Sequence, residues 1–374
     1  MTQRTFRSLP SFGWPIARWW LLTGMLFIAG WMLLLWPSER ASRTASTRLP
    51  GLAVRAEQVT VSGISSGAYM AGQFQLAHAE MVSGAGLIAG GPYGCAESAF
   101  SGMATDSGAK FLNASRAVTG CMLNNLALWG VPNPDSLAVR ARQLSAEGRI
   151  GPVAAVATDR VYLFTGRADS IVRPPIVAAA RRFYDLIGVP ADQIRFVDTL
   201  DAGHAFITLD KGGACATSGA PYVVDCDYDQ AGSLLQHLLG GAKTPTGPAA
   251  GMFQEFDQTP FTADLDAHGL ASAGVVYVPP NCHKGGCLLH VAFHGCAQNR
   301  AAVGDAFVVD TGFAPWADAN NLVVLFPEVM ASSANPQGCW DWWGYTGRAY
   351  LTRDAPQIIA IHRMIVGLAA RAGS

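Results

Sequence analysis

Glycine stands two residues to either side of Ser65 in Gly63-Ile64-Ser65-Ser66-Gly67. Val59-Thr60-Val61-Ser62 before it reads as a short strand, and Ala68 to Ala77 after it reads as a helix. A serine on so sharp a strand-to-helix turn is held in a strained conformation, its hydroxyl exposed at the carboxyl end of a sheet. The two glycines remove the Cβ atoms that would clash there, and the helix N-terminus favours nearby negative charge. An ordinary Gly/Ser turn matches the same five letters. The strand before and the helix after favour a nucleophile.

A serine hydroxyl is a weak nucleophile and needs a base oriented by a third group. Asp169 follows the apolar run Val161-Tyr162-Leu163-Phe164-Thr165-Gly166, so it is expected in a loop past a strand end. A helix from Pro175 and a strand Ile194 to Thr199 come next, and Leu200-Asp201-Ala202-Gly203-His204 places the histidine past that second strand. Loops at the carboxyl ends of parallel strands are where an α/β sheet keeps its reactive groups. Asp169 has a competing reading as a helix cap before Pro174-Pro175, and Asp201 is closer to His204 in sequence but shares its loop. His78, His237 and His362 fall on expected helices and read as packing or surface residues. The rival base is His294, which ends the strand Leu288-Leu289-His290-Val291-Ala292-Phe293 directly before Gly295-Cys296. A strand ending in His-Gly matches the loop that donates an oxyanion-hole amide, so His294 and Gly295 are given a shaping role and Cys296 the backbone N–H. The second donor is the N–H of Ser66. Losing one such donor typically costs ~2.7–4 kcal/mol of transition-state stabilisation.

The elements that must position these groups alternate between strand and helix, the pattern of an α/β sheet. Strands are expected at 57–62, 83–89, 160–165, 194–199, 273–278, 287–293 and 321–326, and helices at 66–79, 134–146, 175–187, 230–238, 313–319 and 355–368. Several strands are near-continuous apolar runs, as in Leu322-Val323-Val324-Leu325-Phe326, which suits central parallel strands covered on both faces. Residues 239–251, rich in Gly, Pro, Ala and Thr, read as a surface connection, and no internal repeat is visible.

A chain of 374 residues, half of them hydrophobic, can bury one large core or two small ones. A net charge of −1 argues against a nucleic-acid partner. Residues 1–48 differ from the rest, with six Arg against one Glu and an apolar run from Trp19 to Trp36. That run exceeds a typical signal h-region of ~7–15 residues, has Trp at both ends like an interface belt, and no clear small-x-small site follows. It reads as an uncleaved signal anchor, with a cleaved signal peptide as the alternative, and residues 37–50 read as a tether. The expected organisation is therefore 1–48 anchor and tether, then 49–374 as one catalytic domain. The protein is expected to be a monomer, held at the inner membrane facing the periplasm, or secreted if the segment is cleaved. All eight cysteines lie beyond the apolar run, and an exported domain tends to pair them. Sequence order favours Cys95–Cys121, Cys215–Cys226, Cys282–Cys287 and Cys296–Cys339, among about 105 possible pairings. A metal site around Cys282-His283 and Cys287 competes, but lacks a second ligand pair at zinc-type spacing.

The order Ser…Asp…His is that of the α/β-hydrolases, with one rearrangement. The oxyanion loop ordinarily precedes the elbow, whereas His294-Gly295-Cys296 follows all three triad candidates. Joining the C-terminus to residue 50 or thereabouts would restore the ordinary order, which surface termini tolerate. The motifs Val61-Ser62-Gly63-Ile64-Ser65-Ser66-Gly67-Ala68-Tyr69-Met70, Ala89 to Cys95, Thr165-Gly166-Arg167-Ala168-Asp169, Gly203-His204, Phe293-His294-Gly295-Cys296 and Gly338-Cys339-Trp340-Asp341-Trp342-Trp343-Gly344-Tyr345 resemble those of the single-domain, circularly permuted polyhydroxybutyrate depolymerases. The resemblance spans roughly residues 52–368. It implies a circularly permuted α/β-hydrolase with a mostly parallel sheet, preceded here by an N-terminal hydrophobic helix. It further implies Ser65, Asp169 and His204 as triad, the amides of Ser66 and Cys296 as oxyanion hole, ester bonds of 3-hydroxyalkanoate polymers or oligomers as substrate, and neither metal nor cofactor. The aromatic cluster Trp340, Trp342, Trp343 and Tyr345 has two readings, a substrate groove or core packing beside Cys339. Other exported serine hydrolases, such as feruloyl or acetyl esterases, and a non-enzymatic membrane-tethered binding protein on the same fold are the alternative functions.

Overall fold

Strand faces alternate with period two, and in this chain both faces of most strands are apolar. Val161 and Leu163 turn to one side of the sheet while Tyr162 and Phe164 turn to the other, and all four are buried. Two cores result, one on each face of a central sheet. The computed structural model describes residues 47–371, which belong to one unit of the chain. The apolar run Trp19–Trp36 and the expected N-terminal helix lie outside the described residues. Among the described residues, no helix is long and apolar enough to cross a membrane.

The sheet is built from β1 (Val59–Ile64), β2 (Val82–Ile88), β3 (Arg160–Phe164), β4 (Ile194–Val197), β8 (Met252–Asp257), β9 (Ala273–Val278), β10 (Leu288–Phe293) and β11 (Leu322–Phe326). Its spatial order is β4-β3-β2-β1-β10-β11-β9-β8. The six strands from β4 to β11 run parallel, and β9 and β8 close one edge antiparallel. One face is covered by α1 (Ser66–Ala77), α3 (Pro134–Ala146), α4 (Pro174–Ile187) and α7 (Pro356–Ala369). The other is covered by α5 (Gln230–Leu238) and α6 (Phe313–Asn320). Every residue of α1 is buried, as expected of a helix inserted between sheet and covering layer rather than laid on a surface.

The seven strands and six helices expected from the sequence are all present, to within two or three residues at each end. Among the described residues, an edge strand, a helix and a small second sheet are the larger features outside that expectation. The edge strand β8 begins where the surface connection 239–251 was expected to end. Helix α2 (Asp106–Cys121), capped by Thr105 Oγ1 on the Gly108 amide, forms one wall of an apolar groove through Ala114, Ala117 and Val118. A small second sheet, β5 (Phe206–Thr208), β7 (Val223–Asp225) and β6 (Gly213–Ala214), lies just beyond His204.

The two ends of the domain meet. The Leu52 amide donates to Leu368 O at 2.9 Å and the Ala53 amide to Ala370 O at 3.0 Å, and Leu52 bridges Arg371 antiparallel. The end of α7 therefore abuts the segment that leads into β1. Strand β10 pairs with β1 in register Thr60↔His290 across some 230 residues of chain. One short link from 371 to 52 and one cut near residue 245 would convert one chain order into the other without moving a strand.

Candidate active site

Ser65 lies between β1 and α1 with φ 57° and ψ −120°, a conformation that costs roughly 1–3 kcal/mol for a non-glycine residue. The neighbours enforce it. The Ser65 amide is held by Ile88 O at 2.9 Å, and its carbonyl accepts from Ala68 and Tyr69 as the first turn of α1 forms. A Cβ on Gly63 would overlap Gly67, and one on Gly67 would overlap the carbonyls of Phe293 and His294 at the end of β10. Both flanking glycines are thus required by close backbone approach. Ser65 keeps 8% of its surface exposed.

Asp169 and His204 come from loops after β3 and β4 that are tied together. The Arg167 amide donates to Leu200 O and the Ala168 amide to Ala202 O. The Asp169 carboxylate is fully committed: Oδ1 accepts the amides of Ile171 and Val172, both at 2.9 Å, and Oδ2 faces His204 Nδ1 at 2.8 Å. Because a carboxylate only accepts, Nδ1 carries the ring proton and Nε2 presents a lone pair. Both side chains are buried, and the His204 backbone amide is anchored by Ser218 Oγ at 2.7 Å. Asp201 is excluded as the orienting acid, since its side chain is 82% exposed and faces Arg167 at 3.9 Å. Among the described residues Ser65 Oγ and His204 Nε2 do not hydrogen-bond to each other; contacts of this kind commonly tighten only when substrate is bound.

The rival base, His294, is wholly buried and both its nitrogens are used. Nδ1 bonds Gly295 O at 2.7 Å and Nε2 accepts the Val329 amide at 3.3 Å. Burial lowers its pKa to about 4, and burial raises that of Glu328, 3.7 Å away, to about 8, so both are uncharged near neutrality. The loop that follows lies against Ser65: a Cβ on Gly295 would stand 3.4 Å from Ser65 Cβ. The Gly295 amide is taken by Gln298 Oε1 and the Ala297 amide by Gln337 O. The amide of Cys296 between them, and that of Ser66 at the start of α1, have no acceptor among the described residues. Two unspent donors beside a serine that keeps an opening to solvent are what an incoming oxyanion requires.

All four expected disulfides are present, Cys95–Cys121, Cys215–Cys226, Cys282–Cys287 and Cys296–Cys339. They mark an exported protein and remove the thiols a metal site at Cys282 and Cys287 would need. No cluster of three metal-ligating side chains occurs among the described residues.

The aromatic cluster divides. Trp340 is fully buried against Phe293 and His294, and Tyr345 is buried with its hydroxyl donating to Cys339 O, so these two sit in the packed interior. Trp342, stacked on Tyr69 at 4.1 Å, and Trp343 line an apolar groove of about 400 Å³ that runs to Cys296. Its far wall is α2, through Ala114, Ala117 and Val118. Sequence reasoning missed that wall, although the spacing Ala114, Ala117, Val118, Cys121 is helical and ends at a bridged cysteine. It also missed Gln298 and Ser218, polar loop residues with no periodic signal.

A strand-helix elbow bearing serine, with acid and histidine on the next loops of a parallel sheet, defines a circularly permuted α/β-hydrolase fold. Named proteins share it along most of the chain. A poly(3-hydroxybutyrate) depolymerase of Delftia acidovorans is 38% identical over 327 residues, covering 86% of this chain and 61% of that protein. A polyhydroxybutyrate depolymerase of Talaromyces funiculosus is 32% identical over 325 residues, covering 82% of this chain and 88% of that protein. The crystal structure of a PHB depolymerase from Penicillium funiculosum superposes with a TM-score of 0.76 at 30% identity, covering 86% of this chain and 99% of the other. A PHB depolymerase variant complexed with an R3HB trimer superposes equally well. No protein-family model matches the chain. The chain belongs to the polyhydroxybutyrate depolymerase family, a family of carboxylic ester hydrolases.

Proposed function

We propose that this protein is a serine esterase that hydrolyses poly(3-hydroxybutyrate) or 3-hydroxyalkanoate oligomers through Ser65, His204 and Asp169. The observation that carries the reading is the 2.8 Å contact of His204 Nδ1 with Asp169 Oδ2, on loops at the same carboxyl edge of the parallel sheet as a strained serine and two unspent amides. Ser65 Oγ attacks the ester carbonyl as its proton passes to His204 Nε2. Asp169 holds the ring and stabilises the imidazolium. The amides of Ser66 and Cys296 receive the negative oxygen. The tetrahedral adduct collapses, His204 returns the proton to the departing alcohol, and the acyl group stays on Ser65. Water then attacks the acyl-enzyme with His204 again as base, releasing the hydroxyacid end.

The relatives named as depolymerases of this polyester support the substrate class, and the apolar groove ending at Cys296 suits an uncharged ester chain. All three triad residues come from one chain, so the enzyme is proposed to act as a monomer. Residues 1–48 are proposed to carry it across and hold it at the inner membrane through Trp19–Trp36, on the strength of that apolar run and the arginines flanking it. The testing experiment incubates the purified protein and its Ser65→Ala variant with amorphous poly(3-hydroxybutyrate) and with short 3-hydroxybutyrate oligomers. Release of 3-hydroxybutyrate or its oligomers by the wild type alone is expected. Turnover by Ser65→Ala, or none by the wild type on either substrate, would overturn the reading.

A further inference from the structure

We propose that His294 is a positioning residue that aims the oxyanion-hole amide of Cys296 by gripping the opposite end of the same peptide group. The inference rests on the serine esterase reading above. The carbonyl of Gly295 and the N–H of Cys296 belong to one planar trans peptide unit, so fixing the direction of the carbonyl fixes that of the N–H, opposite to it. His294 Nδ1 lies 2.7 Å from Gly295 O. Since the Val329 amide donates to Nε2 at 3.3 Å, the ring proton is on Nδ1 and points at that carbonyl. The ring itself has no freedom: it is wholly buried, with Trp340 and Phe307 packed about it at centroid distances of 5.6 and 6.3 Å.

The rest of the loop is braced to isolate this one peptide. Gln298 Oε1 takes the Gly295 amide at 2.8 Å, while its Nε2 is shared between Pro221 O and Tyr222 O. The Ala297 amide goes to Gln337 O at 2.6 Å, and the Cys296 side chain is bridged to Cys339. Amides before and after Cys296 are thus consumed, and its own is left over. The bond from His294 has a second effect. A donor on a peptide carbonyl polarises the whole amide and strengthens the N–H as a donor in turn. His294 therefore acts at a distance on the oxyanion, without touching substrate and without exchanging a proton.

The test compares the wild type with His294→Leu, which removes the donor, and His294→Asn, whose amide nitrogen occupies the Nδ1 position. The readouts are kcat and KM on p-nitrophenyl butyrate and the inhibition constant of butylboronic acid, whose tetrahedral serine adduct places an oxygen in the hole. We expect His294→Leu to lose about 10²-fold in kcat with KM nearly unchanged. Boronate affinity should fall in parallel, and His294→Asn should recover most of both. Wild-type turnover in a folded His294→Leu would overturn the proposal, as would a loss that spares boronate affinity or that Asn does not recover. Should His294→Leu not fold, His294→Gln takes its place, since its amide reaches only the Nε2 position; the same two outcomes then decide. Ser65→Ala runs alongside. If it retained turnover the esterase reading would fail, whereas an inactive Ser65→Ala beside a fully active His294→Leu would sink this proposal alone.

Discussion

At the scale of single residues, the site consists of groups whose alternatives have been used up. Asp169 Oδ1 is spent on two amides, so Oδ2 alone is free to hold His204. Asp169→Asn should keep the amide contacts through its oxygen yet present an N–H to Nδ1, favouring the wrong tautomer. Ester turnover should fall by ~10³–10⁴-fold with little change in melting temperature, which paired steady-state kinetics and thermal unfolding would establish. Gly67 makes the opposite kind of prediction. Its missing Cβ is the space occupied by the carbonyls of Phe293 and His294, backbone atoms that cannot step aside. Gly67→Ala should destabilise the fold by about 3 kcal/mol, read as a lowered urea midpoint at unchanged slope.

At the scale of elements, β1 and β10 lead into Ser65 and the His294–Cys296 loop, the proposed nucleophile and oxyanion loop, and a buried histidine locks them together. His290 Nδ1 lies 2.8 Å from Thr60 Oγ1 and Nε2 2.8 Å from Ser62 Oγ. One strand further across the sheet, Glu328 follows β11 with its carboxyl buried and its pKa raised to about 8, chiefly by desolvation. In the unfolded chain that carboxyl titrates near its ordinary 4.5. The folded state therefore binds one more proton between these values, and this group's contribution is complete below 4.5 and is lost as pH rises through 8. Glu328→Gln should remove that part of the alkaline decline, so unfolding free energies measured from pH 5 to 9 should fall less steeply than in the wild type. The elements themselves were legible wherever burial wrote a simple pattern. Val161 to Phe164 and Leu322 to Phe326 are apolar without a break because both faces of their strands are covered. Strand β8 was not legible: at the sheet edge Met252 and Phe253 stay exposed, and the apolar signal blurs into the preceding connection. Strands β5, β6 and β7 are two or three residues long and are set by tertiary contacts around the Cys215–Cys226 bridge. The positions of Ser65, Asp169 and His204 were legible because a residue just past an apolar strand has only one end of the sheet to occupy. Their braces, Ser218 and Gln298, were not, since nothing local distinguishes them from any other loop side chain.

At the scale of the whole molecule, two surfaces follow from the chain's layout. One is the meeting of Leu52 with Arg371. A rearranged gene with those ends joined by a short Gly/Ser linker and new ends opened within residues 240–250 should give a folded esterase. Retained far-ultraviolet circular dichroism and ester turnover would bear this out, and an insoluble product would count against the permutation. The other is a run of exposed apolar side chains around α2, with Leu128 95% and Trp129 74% exposed and Phe100, Met103 and Phe111 likewise outward. Patches of this kind mark contact with another apolar surface. Exchanging Leu128 and Trp129 for Ser should weaken adsorption to polyhydroxybutyrate film several-fold while leaving turnover of a soluble butyrate ester intact, as depletion assays and kinetics on the same preparation would tell. The bridge from Cys296 to Cys339 has a further consequence for the organism. Cytosolic thiols stay reduced, so a freshly translated chain has its oxyanion loop unfastened. We propose that ester hydrolysis consequently waits on oxidation beyond the cytosol, which would spare esters inside the producing cell.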